Sequence, residues 1–134
     1  MTNITLDQAQ RILAAGAARA AELGAPSTLT VLDGGARMVA SVRQDGAPLV
    51  SIDSSFAKAR TAVFFMTPTR DLVGAVQPGA PLYTLDGATA EQLTFVAGGV
   101  PINDADGAVI GAIGVGGGTP DQDVQVAEAA IAAL

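Results

Sequence analysis

Lys58 is the only lysine of the chain, and it lies in the middle of a predicted helix in the stretch SSFAKARTA. Ser54, Lys58 and Thr61 share one face of that helix because they are spaced by three and four residues. A lone lysine in an apolar helix can anchor an anionic substrate, or act as a base if its pKa is shifted. The alternative is a solvated helix face, and the spacing by itself favours that alternative.

A glycine-rich run, VIGAIGVGGGTPDQD at residues 109–123, leads from a predicted strand into a predicted helix. The dinucleotide fingerprint requires a third glycine where this chain has Thr119, and a P-loop requires a Gly-Lys pair that the chain lacks. The run therefore predicts no nucleotide cradle. Gly116, Gly117 and Gly118 can present backbone amides to an anion at the start of the helix. They can equally let the backbone pass close to another strand or subunit.

Three further residues have side chains suited to ligand binding or catalysis. Arg43 and Asp45 flank the predicted turn VRQDGAP, where they can orient a carboxylate ligand and accept a proton. Tyr83, the only tyrosine, can stack on a planar ligand or bind a metal through its phenolate. The alternatives are an ordinary surface turn for the first two residues and a plug at a subunit interface for Tyr83.

The chain has no histidine and no cysteine, so it lacks the commonest metal ligand and the usual general base. Asp104 and Asp106 suit a tight turn. Asp121 and Asp123 suit the first turn of a helix, where a carboxylate complements the helix dipole. Their spacing does not fit a calcium-binding loop, and the sequence predicts no metal site.

The composition excludes several classes of partner. Of the 134 residues, 49% are hydrophobic and only 15% are charged, so a single copy has few charges to cover its surface. This composition predicts a homo-oligomer. The net charge of −6 argues against nucleic acid and anionic membranes, which require basic patches. No secretory leader or membrane span is apparent, which predicts a cytoplasmic protein.

The predicted elements alternate in a way that favours an antiparallel sheet. Helices are predicted over residues 5–23, 51–66, 68–77 and 119–134, and strands over residues 28–33, 36–44, 93–102 and 108–115. Capping-box spacing pairs Thr5 with Gln8 and Thr119 with Gln122. In the second helix an apolar stripe typical of a buried face is formed by Ile52, Phe56, Ala59, Val63 and Met66. The turn-linked strand pairs predict one α/β domain of the α+β type over residues 1–134.

Several blocks of the sequence, taken in order, resemble the GlcG/HbpS family. This family is often described as haem-degrading domain proteins and is related to the C-terminal domain of PduO-type proteins. The resemblance runs over nearly the whole chain and is carried mainly by DGAPLVSID with KARTA and by GAIGVGGGTPDQDVQVAEAA. It implies a mostly antiparallel, five-stranded sheet surrounded by helices, and homo-oligomers from dimers to octamers. It also implies that haem or a corrinoid-type tetrapyrrole is a ligand of some members.

The resemblance further implies a set of recurrent polar positions around a pocket. In this chain they are Asp33, Arg43, Asp45, Ser51, Asp53, Lys58, Thr61, Thr119 and Asp123, together with Tyr83 and Gly116, Gly117 and Gly118. The chain departs from the family at TAEQL, where Glu91 and Gln92 stand in place of a basic, glycine-containing stretch. Without histidine, haem iron would need an oxygen ligand from Thr, Tyr or Asp, or the thioether of Met38 or Met66.

The first expected function is an oligomeric small-molecule-binding protein with a pocket near the subunit interface. The ligand would be haem or another planar carboxylated molecule. Gly116, Gly117 and Gly118 would receive an anionic group at the start of the last helix, next to Thr119. Lys58 and Arg43 would neutralise carboxylates, and Tyr83 would face the flat part of the ligand.

Two other functions remain open. A cofactor-free lyase, isomerase or hydrolase would act on a small catabolic metabolite, with Asp45 or Asp53 as the base and Lys58 or Arg43 as the electrophilic clamp. The other alternative is an accessory protein whose apolar patches serve only assembly. Whether an open pocket with buried charged groups exists discriminates among the three.

Overall fold

The computed structural model describes residues 2–134 and contains one antiparallel sheet between layers of helix. The helices are α1 (Leu6–Glu22), α2 (Val50–Phe65) and α3 (Pro120–Ile131). The strands are β1 (Thr28–Asp33), β2 (Met38–Arg43), β3 (Gly99–Asn103) and β4 (Val109–Gly116), in the spatial order β2-β1-β4-β3. All neighbouring strands are antiparallel. The predicted α+β class is confirmed, but the sheet has four strands rather than five.

Two capping boxes fix where helices begin, as predicted. The Thr5 hydroxyl accepts a hydrogen bond from the Gln8 amide at 3.1 Å, and the Thr119 hydroxyl accepts one from the Gln122 amide at 3.2 Å. In both boxes the glutamine side chain accepts a hydrogen bond from the threonine amide. These bonds satisfy amides that a helix leaves without intrahelical partners.

One face of the sheet packs against α1 and α3 through large aliphatic side chains. Leu29 and Val31 of β1 and Ile113 and Val115 of β4 are fully buried on this side. The helices contribute a matching set of buried side chains, among them Ile12, Leu13, Val126, Ala127 and Ala130. Removal of this apolar surface from water makes this side the main hydrophobic core.

The opposite face packs against α2 through hydroxyl-bearing and small residues and through a smaller apolar cluster around Leu32. Thr28 shares a hydrogen bond of 2.8 Å with Ser51, and Thr30 shares one of 2.8 Å with Ser55. A Cβ atom on Gly114 of β4 would overlap the backbone oxygen of Ser55. Glycine is therefore needed here for close approach, and α2 lies almost directly on the strand.

This packing gives α2 a buried face that differs from its apolar stripe. Ala59 and Val63 are buried as the stripe predicts, but Ile52 is 43% exposed and Met66 is 69% exposed. The other buried residues of α2 are Ser51, Ser55, Lys58, Thr61 and Ala62. The stripe prediction is wrong for Met66, because α2 ends at Phe65 and Met66 is its left-handed cap. It is wrong for Ile52 because the start of α2 meets the sheet through Ser51 and Ser55, which bond to the threonine hydroxyls of β1.

The segment between α2 and β3 is less regular than predicted. The helix predicted over 68–77 consists of two short 3-10 helices, Thr69–Asp71 and Val73–Val76, and a third covers Leu85–Ala88. The strand predicted over 93–102 is confirmed only from Gly99 onward.

Side chains hold part of the backbone before β3, while the oxygen of Gly98, directly before the strand, accepts a hydrogen bond from the Val115 amide of β4 at 3.0 Å. The Thr61 hydroxyl accepts a hydrogen bond from the Thr94 amide at 3.0 Å, and the Thr69 hydroxyl donates to the Val96 oxygen at 2.8 Å. Thr94 and Val96 are thus bonded to side chains rather than to a neighbouring strand, and the regular strand begins only at Gly99.

Several large apolar side chains remain exposed on or beside α2. Leu49 is 77% exposed and Val50 is 72% exposed, and Ile52, Phe64 and Met66 are also exposed.

No helix within residues 2–134 is long and apolar enough to cross a membrane.

Candidate functional site

Lys58 is buried where α2 meets β4 and α3. Only 3% of the residue is exposed, so the solvated-face alternative does not apply. Its Nζ donates to the backbone oxygen of Val115 at 2.8 Å and to Oδ2 of Asp123 at 2.8 Å. The ammonium therefore joins three elements. One of its three N–H donors has no protein acceptor within residues 2–134.

Asp123 completes this arrangement from the first turn of α3. Its Oδ1 accepts a hydrogen bond from the Gly118 amide at 2.9 Å, while Oδ2 contacts Lys58. Burial raises the pKa of the Asp123 carboxyl above its ordinary value. The hydrogen bond and charge of Lys58, and the Gly118 amide, lower the pKa and so oppose this effect. Asp123 thus holds the glycine loop and the lysine together, a role that helix-dipole reasoning did not indicate.

A cavity of about 310 Å³ opens beside this ion pair. Its lining residues are Pro48, Val50, Ser54, Lys58, Thr94, Val96, Gly117, Gly118, Pro120 and Asp123. Lys58 and Asp123 are the only charged members of that lining. The charge in this lining is therefore confined to one ion pair.

A second cavity of about 360 Å³ adjoins the first and is mainly apolar. Val96 and Pro120 belong to the walls of both, so the two spaces are neighbours. The rest of the second wall consists of Val73, Val76, Gln77, Phe95 and Ala97. Together the cavities offer an apolar trough with one buried cation at its end, an arrangement typical of sites for amphipathic organic ligands.

The glycine loop has fewer free amides than its sequence implied. The Gly118 amide is already bonded to Asp123, and the Thr119 amide is bonded to Gln122 at 2.9 Å. Gly116 packs against Ser54, where a Cβ atom would collide with the hydroxyl. Gly117 has a φ of +130°, which L side chains rarely adopt. Close packing therefore explains much of the run, while Gly117 and Gly118 also line the cavity.

Two other predicted residues, Thr61 and Thr119, do not line the cavity but hold elements that do. Thr61 is fully buried and its hydroxyl holds the amide of Thr94, which lines the cavity. Thr119 is exposed and serves as the cap of α3. Thr61 therefore shapes the wall, whereas Thr119 positions the helix that carries Asp123.

The remaining predicted site residues lie outside the cavity lining. Asp33 is at the opposite end of β1, where its carboxylate accepts hydrogen bonds from the Gly35 and Arg37 amides at 2.9 and 3.0 Å. Arg43 borders a groove between α1 and β2, and Asp45 borders a hollow beside Gly24 and Pro26. Asp53 and Tyr83 are exposed. One chain does not bring these five residues to Lys58.

The side chains that line the cavity determine which chemical groups of a ligand the cavity can bind. Ser54 and Thr94 contribute hydroxyl oxygens to the wall. Met38 and Met66 are 56% and 69% exposed and do not belong to the lining. Within residues 2–134, no group of three or more His, Cys, Asp or Glu side chains is arranged to hold a metal ion.

Comparisons with known proteins agree with this architecture. Residues 4–132 match the family described as haem degrading protein HbpS-like. The chain is 38% identical, over 131 residues, to an uncharacterized 15.0 kDa protein from the dhaT-dhaS intergenic region of Citrobacter freundii, covering 98% of this chain and 92% of that protein.

Two solved structures share the fold closely. Klebsiella pneumoniae protein ORFY has a TM-score of 0.94 and 34% identity, covering 99% of this chain and 91% of its own. A PduOC:Heme complex has a TM-score of 0.92 and 32% identity, covering 99% of this chain and 96% of its own. Because the family match spans nearly the whole sequence, the chain belongs to the HbpS-like family of haem degrading proteins.

Proposed function

We propose that this chain is a small-molecule-binding protein whose cavity at Lys58 takes a planar, carboxylated ligand, with haem as the candidate. The observation that carries the proposal is the buried ammonium of Lys58 at the end of an apolar trough. Its unused N–H donor suits a carboxylate oxygen, and the walls at Phe95 and Val96 suit a flat apolar surface. The haem complex of the relative PduOC supports the choice of candidate.

The residues present fit the organic part of haem better than its iron. Lys58 would hold a propionate, and Val73, Val76, Phe95 and Val96 would contact the macrocycle. Haem would supply a redox-active iron when bound. The chain has no imidazole or thiolate to offer that iron, and the cavity side chains contribute only hydroxyl oxygens and carboxylate. The proposed site therefore recognises the ligand mainly through its carboxylate and its apolar faces.

We include assembly in the proposal because the mouth of the cavity is apolar and uncovered. Pro48 and Val50 line the opening, and Leu49 beside them is 77% exposed. A second copy that packs on this rim would remove these side chains from water and enclose the ligand. The low proportion of charged residues, 15%, supports such an assembly.

A hemin titration followed by absorbance tests the proposal. We expect a saturable shift of the Soret band at fixed stoichiometry. Val96→Asp, which puts a charge in the trough, should weaken binding about tenfold or more, since a charge in an apolar contact costs at least about 1.4 kcal/mol. Tyr83→Phe is the matched control because Tyr83 is exposed and outside the lining. A weak, non-saturating shift that is equal in all three proteins would overturn the proposal.

The buried pair also favours a second candidate, a cofactor-free enzyme that moves a proton on a small metabolite. Asp45 and Asp53 are exposed, so the acid–base groups of such an enzyme would be Lys58 and Asp123. Exchange of acidic C–H protons of small keto acids in heavy water, followed by NMR, tests this candidate. Exchange that is accelerated by the protein and lost in Asp123→Asn would support it. Exchange at the rate of buffer alone would exclude it for these substrates.

A further inference from the structure

The cavity contains a cation that is already neutralised. Lys58 and Asp123 are its only charged lining residues, and Nζ lies 2.8 Å from Oδ2. Their side chains are 4% and 3% exposed, so salt and water screen the pair weakly. A ligand carboxylate that reaches the remaining N–H of Lys58 therefore places a second negative charge beside a single ammonium.

Two carboxylates that share one buried site do not readily both stay ionised, and one of them takes up a proton. Oδ1 of Asp123 is held by the Gly118 amide at 2.9 Å, so Oδ2 is the oxygen that competes with the ligand for Lys58. Resting on the proposed function, we infer that a carboxylate ligand binds at Lys58 together with one proton, which passes from solvent to Oδ2 of Asp123. The negative charge of the ligand and the positive charge of the proton cancel, so the net charge of the site does not change on binding.

Other charged groups on the surrounding elements are exposed or already paired. The strands β3 and β4 carry no charged residue. The charged groups to consider are exposed Asp53 and Asp121, Arg60 paired with Glu91 at 3.6 Å, Arg70 paired with Glu128 at 2.7 Å, and Arg19 paired with Glu22 at 2.9 Å. None of them lines the cavity, which leaves Asp123 as the group that receives the proton.

Proton uptake makes the affinity for a carboxylate ligand depend on pH in a defined direction. Burial already raises the pKa of Asp123, and the incoming carboxylate raises it further because it adds a like charge and weakens the contact with Lys58. Ligand affinity therefore falls as pH rises, by up to about tenfold per pH unit between the free and the bound pKa of Asp123. A neutral amide of the same shape should bind without this dependence.

Benzoate and benzamide test the inference because they share a shape and differ in charge. Calorimetry in two buffers of different ionisation enthalpy gives the number of protons taken up on binding. The range is roughly pH 6 to 8, where benzoic acid is ionised in water. We expect uptake that approaches one proton for benzoate and none for benzamide.

Two variants locate the proton. Asp123→Asn removes the titrating oxygen, and Asp121→Asn removes the same charge from an exposed position on the same helix turn. We expect Asp123→Asn to bind benzoate about tenfold more tightly at the upper end of the pH range and with no proton uptake. Asp121→Asn should behave like the unmodified protein. Uptake that persists in Asp123→Asn would overturn the assignment.

The measurement on the unmodified protein is decisive even if Asp123→Asn does not fold. No benzoate binding, or binding without proton uptake, overturns the inference. The hemin titration distinguishes failure of the proton-coupling inference from failure of the proposed haem-binding function. Saturable hemin binding without proton uptake by benzoate removes the coupling and leaves the proposed function. Proton-linked benzoate binding without saturable hemin binding removes haem and leaves the coupling.

Discussion

The two faces of the sheet are packed by different chemistry. Towards α1 and α3, residues such as Leu29 and Ile113 bury large apolar side chains, worth about 25 cal/mol for each Å² removed from water. Towards α2, the same strands present Thr30 and Gly114 beside a smaller apolar cluster that contains Leu32. The difference teaches that the first face buries most of the large apolar side chains, whereas the second also sets how closely α2 approaches the sheet. Close approach of α2 is what brings Lys58 to the end of β4.

The largest expected effect comes from breaking the ion pair on the α2 face. Lys58→Met should lower the free energy of unfolding by about 3–5 kcal/mol, because Asp123 is left buried without its cation. Urea denaturation measures this loss. The loss should shrink as the pH falls, because Lys58 lowers the pKa of Asp123 and its removal leaves burial to raise that pKa further, so the folded variant takes up a proton more readily than the folded unmodified protein.

A double substitution sharpens the same test. In Lys58→Met with Asp123→Leu, both charges are replaced by apolar side chains, and most of the lost stability should return. Hemin binding should not return with it, because the cation is still absent. A single variant that loses less than about 1 kcal/mol would show that the pair behaves like an exposed salt bridge.

A substitution that adds a methyl group between α2 and β4 should have an intermediate effect on the stability of the fold. Gly114→Ala should cost about 1–3 kcal/mol, because the added Cβ overlaps the Ser55 backbone and must push α2 away. Ile113→Val is the neighbouring control on the aliphatic face and should cost about 0.5–1.5 kcal/mol. Thermal denaturation compares the stability losses of these two variants. Hemin affinity should fall only in Gly114→Ala, and equal affinities would contradict the positional role of this face.

The smallest effect should follow loss of one hydroxyl. Ser55→Ala should destabilise the fold by about 1 kcal/mol, because it removes the 2.8 Å hydrogen bond to Thr30. Thr30 keeps its 2.9 Å bond to Ser41, which limits the loss. Ser54→Ala is the adjacent control, since that hydroxyl makes no protein hydrogen bond within the part of the chain described. Chemical denaturation should leave this control unchanged within error.

Local features of the fold could be predicted from the sequence because their causes are local. The caps at Thr5 and Thr119 each depend on a glutamine three residues later. The turn between β1 and β2 likewise depends on Asp33, whose carboxylate binds two amides of the turn itself. Such contacts need no knowledge of the rest of the chain, and their positions were predicted closely.

The site could not be predicted in the same way because its contacts are remote. Lys58 and Asp123 are separated by 65 residues, and they meet only because α2 approaches β4 at Gly114. Hydrophobic periodicity in α2 pointed to Ile52 and Met66, which are exposed in a single chain. The pattern detects apolar side chains but not whether the surface opposite them is aliphatic, hydroxyl-bearing or another subunit.

The burial of the only lysine also gives this chain an unusual response to chemical labelling. Only 3% of this residue is exposed. An amine-acylating reagent can therefore reach Lys58 only through the cavity beside it or during openings that separate α2 from the end of β4. The acylation rate reports how accessible Lys58 is from this cavity, and peptide mass spectrometry measures it at one residue with no competing lysine. A bound ligand that reaches Lys58 should slow the reaction in proportion to its occupancy.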